Sequence, residues 1–258
     1  MAEVILAPQI GTPPPDRSVS GTTRFIRYAF MPNRLHYCGG DDNGAIFDYA
    51  LAAVREPPLD TMLRKFTGAM PYLTLIARSN NIADPFDDRV VDAYWIGNEL
   101  LDRVAMPELY GSLRERYRKQ LSPKLLDLIT GKVAAGARPH HSFHVLDVWR
   151  NVDHLDGNVL ATIDNCRISS GVVRSVEGVD VVVERRPLVL QEGRLVLGEA
   201  QPERATRLIE GKGFATELAP GDTVSLHWSW VCETLTEPQA RALERYTLHS
   251  LALANQTI

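Results

Sequence analysis

The apolar residues of this chain change their spacing once, between Ala135 and Pro139, and that change decides the fold class. Before it they recur every three to four residues, like one face of a helix; after it they alternate, like one face of a sheet. Upstream, Ala45, Ile46, Tyr49, Ala50 and Ala53 mark a helix starting at Asn43, and Met62, Phe66, Met70, Leu73 and Ile76 mark a second over 59–76. A third is predicted over 88–104 behind an Asp87 or Asp88 cap, a fourth over 107–121, and a fifth from Ser122-Pro123 toward Gly136. Downstream, strands are predicted over 145–149, 160–163, 168–176, 179–184, 188–190, 195–197 and 224–231, with Gln191-Glu192-Gly193-Arg194 as a hairpin turn and Val172, Val182, Leu188 and Leu195 as core. Thr236 and Gln239 form a capping box that opens a closing helix. The expectation is an α+β chain: a proline-broken arm at 1–21, a helical domain at 22–138, and a small antiparallel β-barrel with a C-terminal helix at 139–258.

The sharpest chemical signal joins two distant stretches, Asn165-Cys166-Arg167-Ile168-Ser169-Ser170-Gly171 and Gly221-Asp222-Thr223-Val224-Ser225-Leu226-His227, the latter followed eight residues on by Leu235. A thiolate paired with an imidazole suits zinc, copper or low-spin iron far better than magnesium or calcium. In this joint spacing, residues 164–247 resemble the HypC/HupF family of nickel-iron hydrogenase maturation chaperones. Cys166 falls on the family cysteine, Gly171 on its glycine, Gly221 and Asp222 on its Gly-Asp, His227 on its histidine and Leu235 on its leucine.

That resemblance implies an OB-like barrel, an iron held by Cys166 and His227 with or without cyanide and carbon monoxide, and a hydrogenase maturation protein or hydrogenase large subunit as partner. The chain also departs from the family. Cys166 is internal, so no terminal amine assists it; Ser170 replaces a proline, and Trp228, Ser229 and Trp230 crowd the positions after the histidine.

Two further clusters could join such a site. His140, His141 and His144 lie within five residues of one another, and can face a metal from a strand or a helix. The plainer alternative is a polar junction loop whose histidines bind backbone carbonyls. His36 and Cys38, two apart before Gly39-Gly40, share a face on an extended segment, although the same residues read equally as a turn and helix cap. Cys232 reads as core and His249 as a half-exposed structural histidine.

Charge and composition remove other classes. With 28 basic against 32 acidic residues, there is no electrostatic case for nucleic acid or an anionic membrane. No apolar run approaches the roughly 20 residues that span a bilayer, and no signal peptide is evident, so the expected location is the cytoplasm. Three widely spaced cysteines do not make a disulfide framework. Zinc-protease, P-loop and nucleophile-elbow motifs are absent from the sequence. Two functions therefore stand: an iron carrier or assembly factor holding metal through Cys166 and His227, and an iron enzyme whose Cys/His site at the domain junction draws on His36, Cys38, His140, His141 or His144.

Overall fold

The computed structural model describes residues 19–152 and 159–257. Most of the expected arm lies outside the described residues, but Ser20 and Gly21 belong to a helix. Helix α1 (Gly21–Arg34) starts where the Ser20 side chain accepts the Thr23 amide, and it buries Phe25, Ile26, Tyr28, Ala29 and Phe30. The sequence reading began its helices only at Asn43. A helix enclosed on all sides carries apolar residues in runs rather than a stripe, and Pro32 breaks the pattern further.

There follow α2 (Asn43–Leu51), α3 (Pro57–Leu63), α4 (Met70–Ser79), α5 (Asp88–Trp95), α6 (Met106–Tyr117) and α7 (Pro123–Ala134), of which α2 and α5 pack most closely against α1. Two expected long helices are each broken. The 59–76 segment divides into α3 and α4 at a loop containing Thr67-Gly68, and Pro71 sits in the first turn of α4. After α5 the chain turns at Gly97, with φ of 101°, and continues as a 3-10 helix (Glu99–Arg103) capped by Asn98. A Cβ on Gly97 would lie 2.0 Å from the Tyr246 ring, so the break holds the chain's end against its middle.

Beyond the junction the expected strands at 145–149 and 160–163 are helical. Helix α8 (His141–Phe143) runs into a π-helical stretch (His144–Trp149) and α9 (Arg150–Val152), and α10 (Val159–Cys166) precedes the sheet. Val145, Leu146, Asp147 and Val148 are all fully buried, so no polar face marks the helical period, and β-branched valines supply a false strand signal. The buried Lys132–Asp147 ion pair ties the π stretch to α7.

The strands are β1 (Ser169–Glu177), β2 (Asp180–Arg185), β3 (Leu188–Gln191), β4 (Arg194–Leu197), β5 (Gln201–Thr206), β6 (Thr223–His227) and β7 (Trp230–Thr234), followed by α11 (Glu237–Ala254). Five of them hydrogen-bond in the cyclic order β1-β2-β5-β7-β6 and close into a barrel, while β3 and β4 form a separate hairpin. The sheet is mixed, not wholly antiparallel, because β5 meets β7 in parallel at Thr206 and Trp230. The expected strand at 224–231 is a hairpin, turned at Trp228 and Ser229 with φ of 54° and 52°. Such left-handed pairs usually announce themselves by Asn or Gly, and here neither is present.

Val173, Val181, Val183, Val224, Leu226 and Val231 fill the barrel. Val172 and Val182, expected there, are half-buried on the other face. A run such as Val181-Val182-Val183 does not declare which face turns inward. Leu188 and Leu195 pack instead with Val145, Leu146, Ile163 and Leu251. The largest core joins both halves: Phe25, Phe30 and Trp95 share one cluster with Trp230, Cys232, Leu235 and Tyr246. Among the described residues no helix is long and apolar enough to cross a membrane.

Gly97→Ala is expected to destabilise the protein by about 2–4 kcal/mol, since a left-handed backbone and a ring clash act together. Gly111→Ala, in open space on α6, should be neutral or stabilising. Urea denaturation of the two variants measures both.

Candidate metal centre

Pairing of β1 with β6 brings the thiol and imidazole together. Ser169 lies opposite Leu226, so the residues just before β1 meet those just after it on β6, and the Trp228 amide donates to the Asn165 carbonyl at 2.8 Å. Cys166 ends α10 and His227 ends β6. His141 arrives from the start of α8. Single donor atoms of His141, Cys166 and His227 all lie within 4.8 Å of one another, and all three groups are buried. Cys166 as a whole residue is half-buried, with its sulfur withdrawn from solvent. Bonds of 2.0–2.3 Å to one metal require donor separations of about 3.3–3.6 Å, so a bound ion would draw the more distant of these donors closer.

The proton positions suit a metal ligand. His227 Nδ1 lies 2.7 Å from the Tyr28 carbonyl oxygen, which can only accept, so Nδ1 carries the proton. Nε2 then bears a lone pair, and it is buried without a hydrogen-bond partner. A carbonyl anchoring the far nitrogen is the usual support of a metal-bound imidazole. Tyr28 can give this support because of Pro32. The carbonyl at position 28 of a helix expects the amide at position 32, and proline has none. His227 takes the orphaned acceptor.

His141 Nε2 lies 2.9 Å from the Cys166 carbonyl and Nδ1 lies 3.2 Å from the Tyr94 hydroxyl. The Cys166 carbonyl can only accept, so Nε2 carries the proton in the metal-free site; a metal there would require Nε2 to give up that bond and the proton to move to Nδ1, where the Tyr94 oxygen can accept it. Burial holds the His141 pKa down at about 4 and, with His141 beside it, holds His227 well below the ordinary value. Burial pushes the Cys166 thiol well up. At neutral pH the metal-free site therefore has neutral imidazoles and a protonated thiol.

The other sequence candidates are dispersed. His144 lines the same cavity as the triad, with its Nδ1 3.4 Å from the Tyr72 hydroxyl and its ring centre 6.3 Å from that of His141, but it stands outside the cluster. Cys38 also lines the cavity, its thiol pushed up to about 12 by burial. Asn33, buried in α1, places it by donating to the Cys38 and Gly40 carbonyls at 2.8 and 2.6 Å. His140 turns away: its Nδ1 accepts the Ser142 amide as a helix cap, and its ring stacks on Tyr246. His36 is exposed and left-handed, with φ of 62°. It ends α1, where the His36 and Tyr37 amides return to Asn33 and Pro32, so it and Cys38 do not share an extended face.

The triad borders a cavity of about 690 Å³ whose lining includes Tyr37, Phe66, Trp95, Arg116 and Trp149. Sequence reasoning missed Tyr28, Tyr94 and Arg116. A backbone carbonyl has no sequence signature, and Arg116 hides in a charged run, Arg114-Glu115-Arg116-Tyr117-Arg118-Lys119, that reads as a solvated helix face.

Fold and site together define an α+β protein with a buried His/Cys/His cluster that could hold a metal ion. Residues 17–258 match the model of a family of unknown function, DUF6390, and the chain belongs to that family. No curated protein matches the chain, and no solved structure matches it.

Cys166→Ala should weaken zinc or iron binding at least about 100-fold while leaving the melting temperature of the metal-free protein near that of wild type; His227→Ala should weaken binding as much and also cost about 1–3 kcal/mol of stability, because the Tyr28 carbonyl loses its donor, and Cys232→Ala, in the core, should leave metal affinity unchanged. Because only the thiol must lose a proton, apparent affinity should rise about tenfold per pH unit between roughly pH 6 and 8. A pH-independent affinity would exclude Cys166 as a ligand. Pro32→Ala restores an amide that competes for the Tyr28 carbonyl. Metal affinity should fall about 10–100-fold with no loss of stability, which competition titration and thermal melting separate.

Proposed function

We propose that this chain is an iron protein that retains its metal between His141, Cys166 and His227 and uses it on a small molecule entering the adjoining cavity. The observation that carries this reading is the His227 Nε2 atom, buried, unpartnered and proton-free beside a thiol and a second imidazole. A buried donor atom left without a partner costs about 1–3 kcal/mol, and a metal bond removes that cost. Iron, rather than zinc or copper, comes from the resemblance to the HypC/HupF family. The deep placement of all three donors favours retention over release, since a carrier gains from an exposed site with few ligands.

A second reading keeps the carrier role. Cys166 and His227 flank the paired strands β1 and β6 at the two positions that the HypC-like pattern assigns to its ligands, within a small closed sheet followed by a C-terminal helix. On that reading the barrel is OB-like, the cargo is iron with diatomic ligands, and the partner is a hydrogenase maturation protein or large subunit. Either role suits a reducing cytoplasm, where Cys38, Cys166 and Cys232, all free, stay as thiols.

Protein purified without oxygen should contain close to one iron per chain and show no infrared bands of bound cyanide or carbon monoxide. Such bands, with iron lost on mixing with a hydrogenase large subunit, would establish the carrier instead. Absence of any metal, together with no metal uptake by the purified chain, would sink both readings.

A further inference from the structure

The cavity beside the triad holds a cation that no carboxylate pairs with among the described residues. Arg116 projects from α6 into its wall, where Nη2 donates to the Thr67 carbonyl at 2.6 Å and both Nη atoms lie 3.3 Å from the Gly68 carbonyl. The guanidinium also rests over the rings of Tyr117 and Tyr72, at 4.7 and 5.5 Å. Carbonyls and ring faces orient the group without cancelling its charge. Among the described residues no carboxylate pairs with Arg116, whereas Arg114, two residues earlier, holds Asp127 at 2.7 Å. Both Nη atoms are engaged by carbonyls, and Nε makes no hydrogen bond among the described residues, so Nε–H is the donor left for a ligand.

The rest of the wall specifies what could sit there. Tyr37 and Trp149 meet edge to face, 6.3 Å between ring centres, and Phe66 and Trp95 add apolar surface. Glu115, exposed at the rim, gives the entrance one negative charge. A ligand with two negative charges would meet one guanidinium and one opposing carboxylate, whereas a single carboxylate matches the one guanidinium charge and its remaining Nε–H. A volume near 690 Å³ suits a small organic molecule.

We propose that the cavity binds a small organic monocarboxylate with an apolar or aromatic body, its carboxylate held by Arg116 and its body lying among Tyr37, Phe66, Trp95 and Trp149. This assigns a substrate class to the metal site proposed above and rests on that reading for the ligand's fate, though not for its binding. Arg116 acts here as a specificity-determining residue.

Calorimetric titration of the full chain with benzoate, phenylacetate and hexanoate, and with uncharged benzamide as control, tests it. Each titration is run with EDTA and again after zinc loading. At least one carboxylate should bind in both conditions, at least about tenfold tighter than benzamide, the gain of one charge-assisted hydrogen-bonded pair. Arg116→Gln should remove that advantage and leave benzamide unchanged, Arg116→Lys should retain part of it, and Glu115→Gln should tighten the carboxylate. Benzamide binding as well as the acids, no binding by any acid, or carboxylate affinity indifferent to Arg116→Gln would each overturn the proposal. Should Arg116→Gln fail to fold, the comparison of acid with amide on the wild-type chain decides alone. Metal titration of the wild-type chain separates the two readings: benzoate binding kept while the wild type takes up neither zinc nor iron would end the metal assignment and leave this one standing, whereas metal uptake without carboxylate binding would do the reverse.

Discussion

A missing amide organises this molecule. Pro32 leaves the Tyr28 carbonyl without its helical donor, and the imidazole of His227, far away in sequence, supplies one. The same tyrosine reaches the sheet by its other end, where its hydroxyl donates to Glu233 at 2.7 Å and lies 3.0 Å from Ser225. Arg24 and Arg27, on the same helix, pair with that buried Glu233. One helix is thus fastened to β6 and β7 by a carbonyl, a phenol and two guanidinium groups, and its apolar residues continue into Trp230 and Cys232. A buried carboxylate is tolerable only when so fully paired.

From this attachment the site follows. With β6 anchored, its pairing to β1 places Cys166; with α10 leading into β1, the Cys166 carbonyl is available to His141. His141 in turn depends on His140, whose ring caps the helix that carries it, and on Tyr94 from α5. Trp95, next to Tyr94, lies 4.6 Å from the His141 ring and 5.8 Å from the His227 ring, a flat apolar wall that keeps water from one side of the cluster. Adjacent histidines therefore divide the work, one structural and one lining the cavity.

Much of the architecture was legible in the residues. The change of period, the Ser122-Pro123 start and the Thr236-Gln239 box correspond to α7 and α11 and to a sheet confined to the second half. Failures occurred where burial erased the pattern: α1 and the 144–149 stretch are enclosed on every side, and helical period is visible only when one face is wet. The pairing of Cys166 with His227 could be anticipated only from the joint spacing of the two motifs, and the β1–β6 register then brings their ends together. Choosing His141 over His140 could not, because neighbours on a helix point about 100° apart and only tertiary packing settles which one faces inward. Arg116 was hidden for a similar reason: whether a charged helix residue finds a carboxylate is settled by packing, and among the described residues this one finds none.

The three donors stand at positions 141, 166 and 227, on elements that meet only after the barrel has closed and α1 has docked against it. Unlike a metal knuckle whose ligands are near neighbours in the chain, this arrangement cannot nucleate folding, so the polypeptide must reach its final shape without help from the ion. A metal taken up by this site would therefore load last, through the opening of the cavity that the triad borders. On the two proposals made above, a metal and an organic ligand would share one doorway, and whatever occupied the outer chamber would slow both the entry and the escape of what lies behind it.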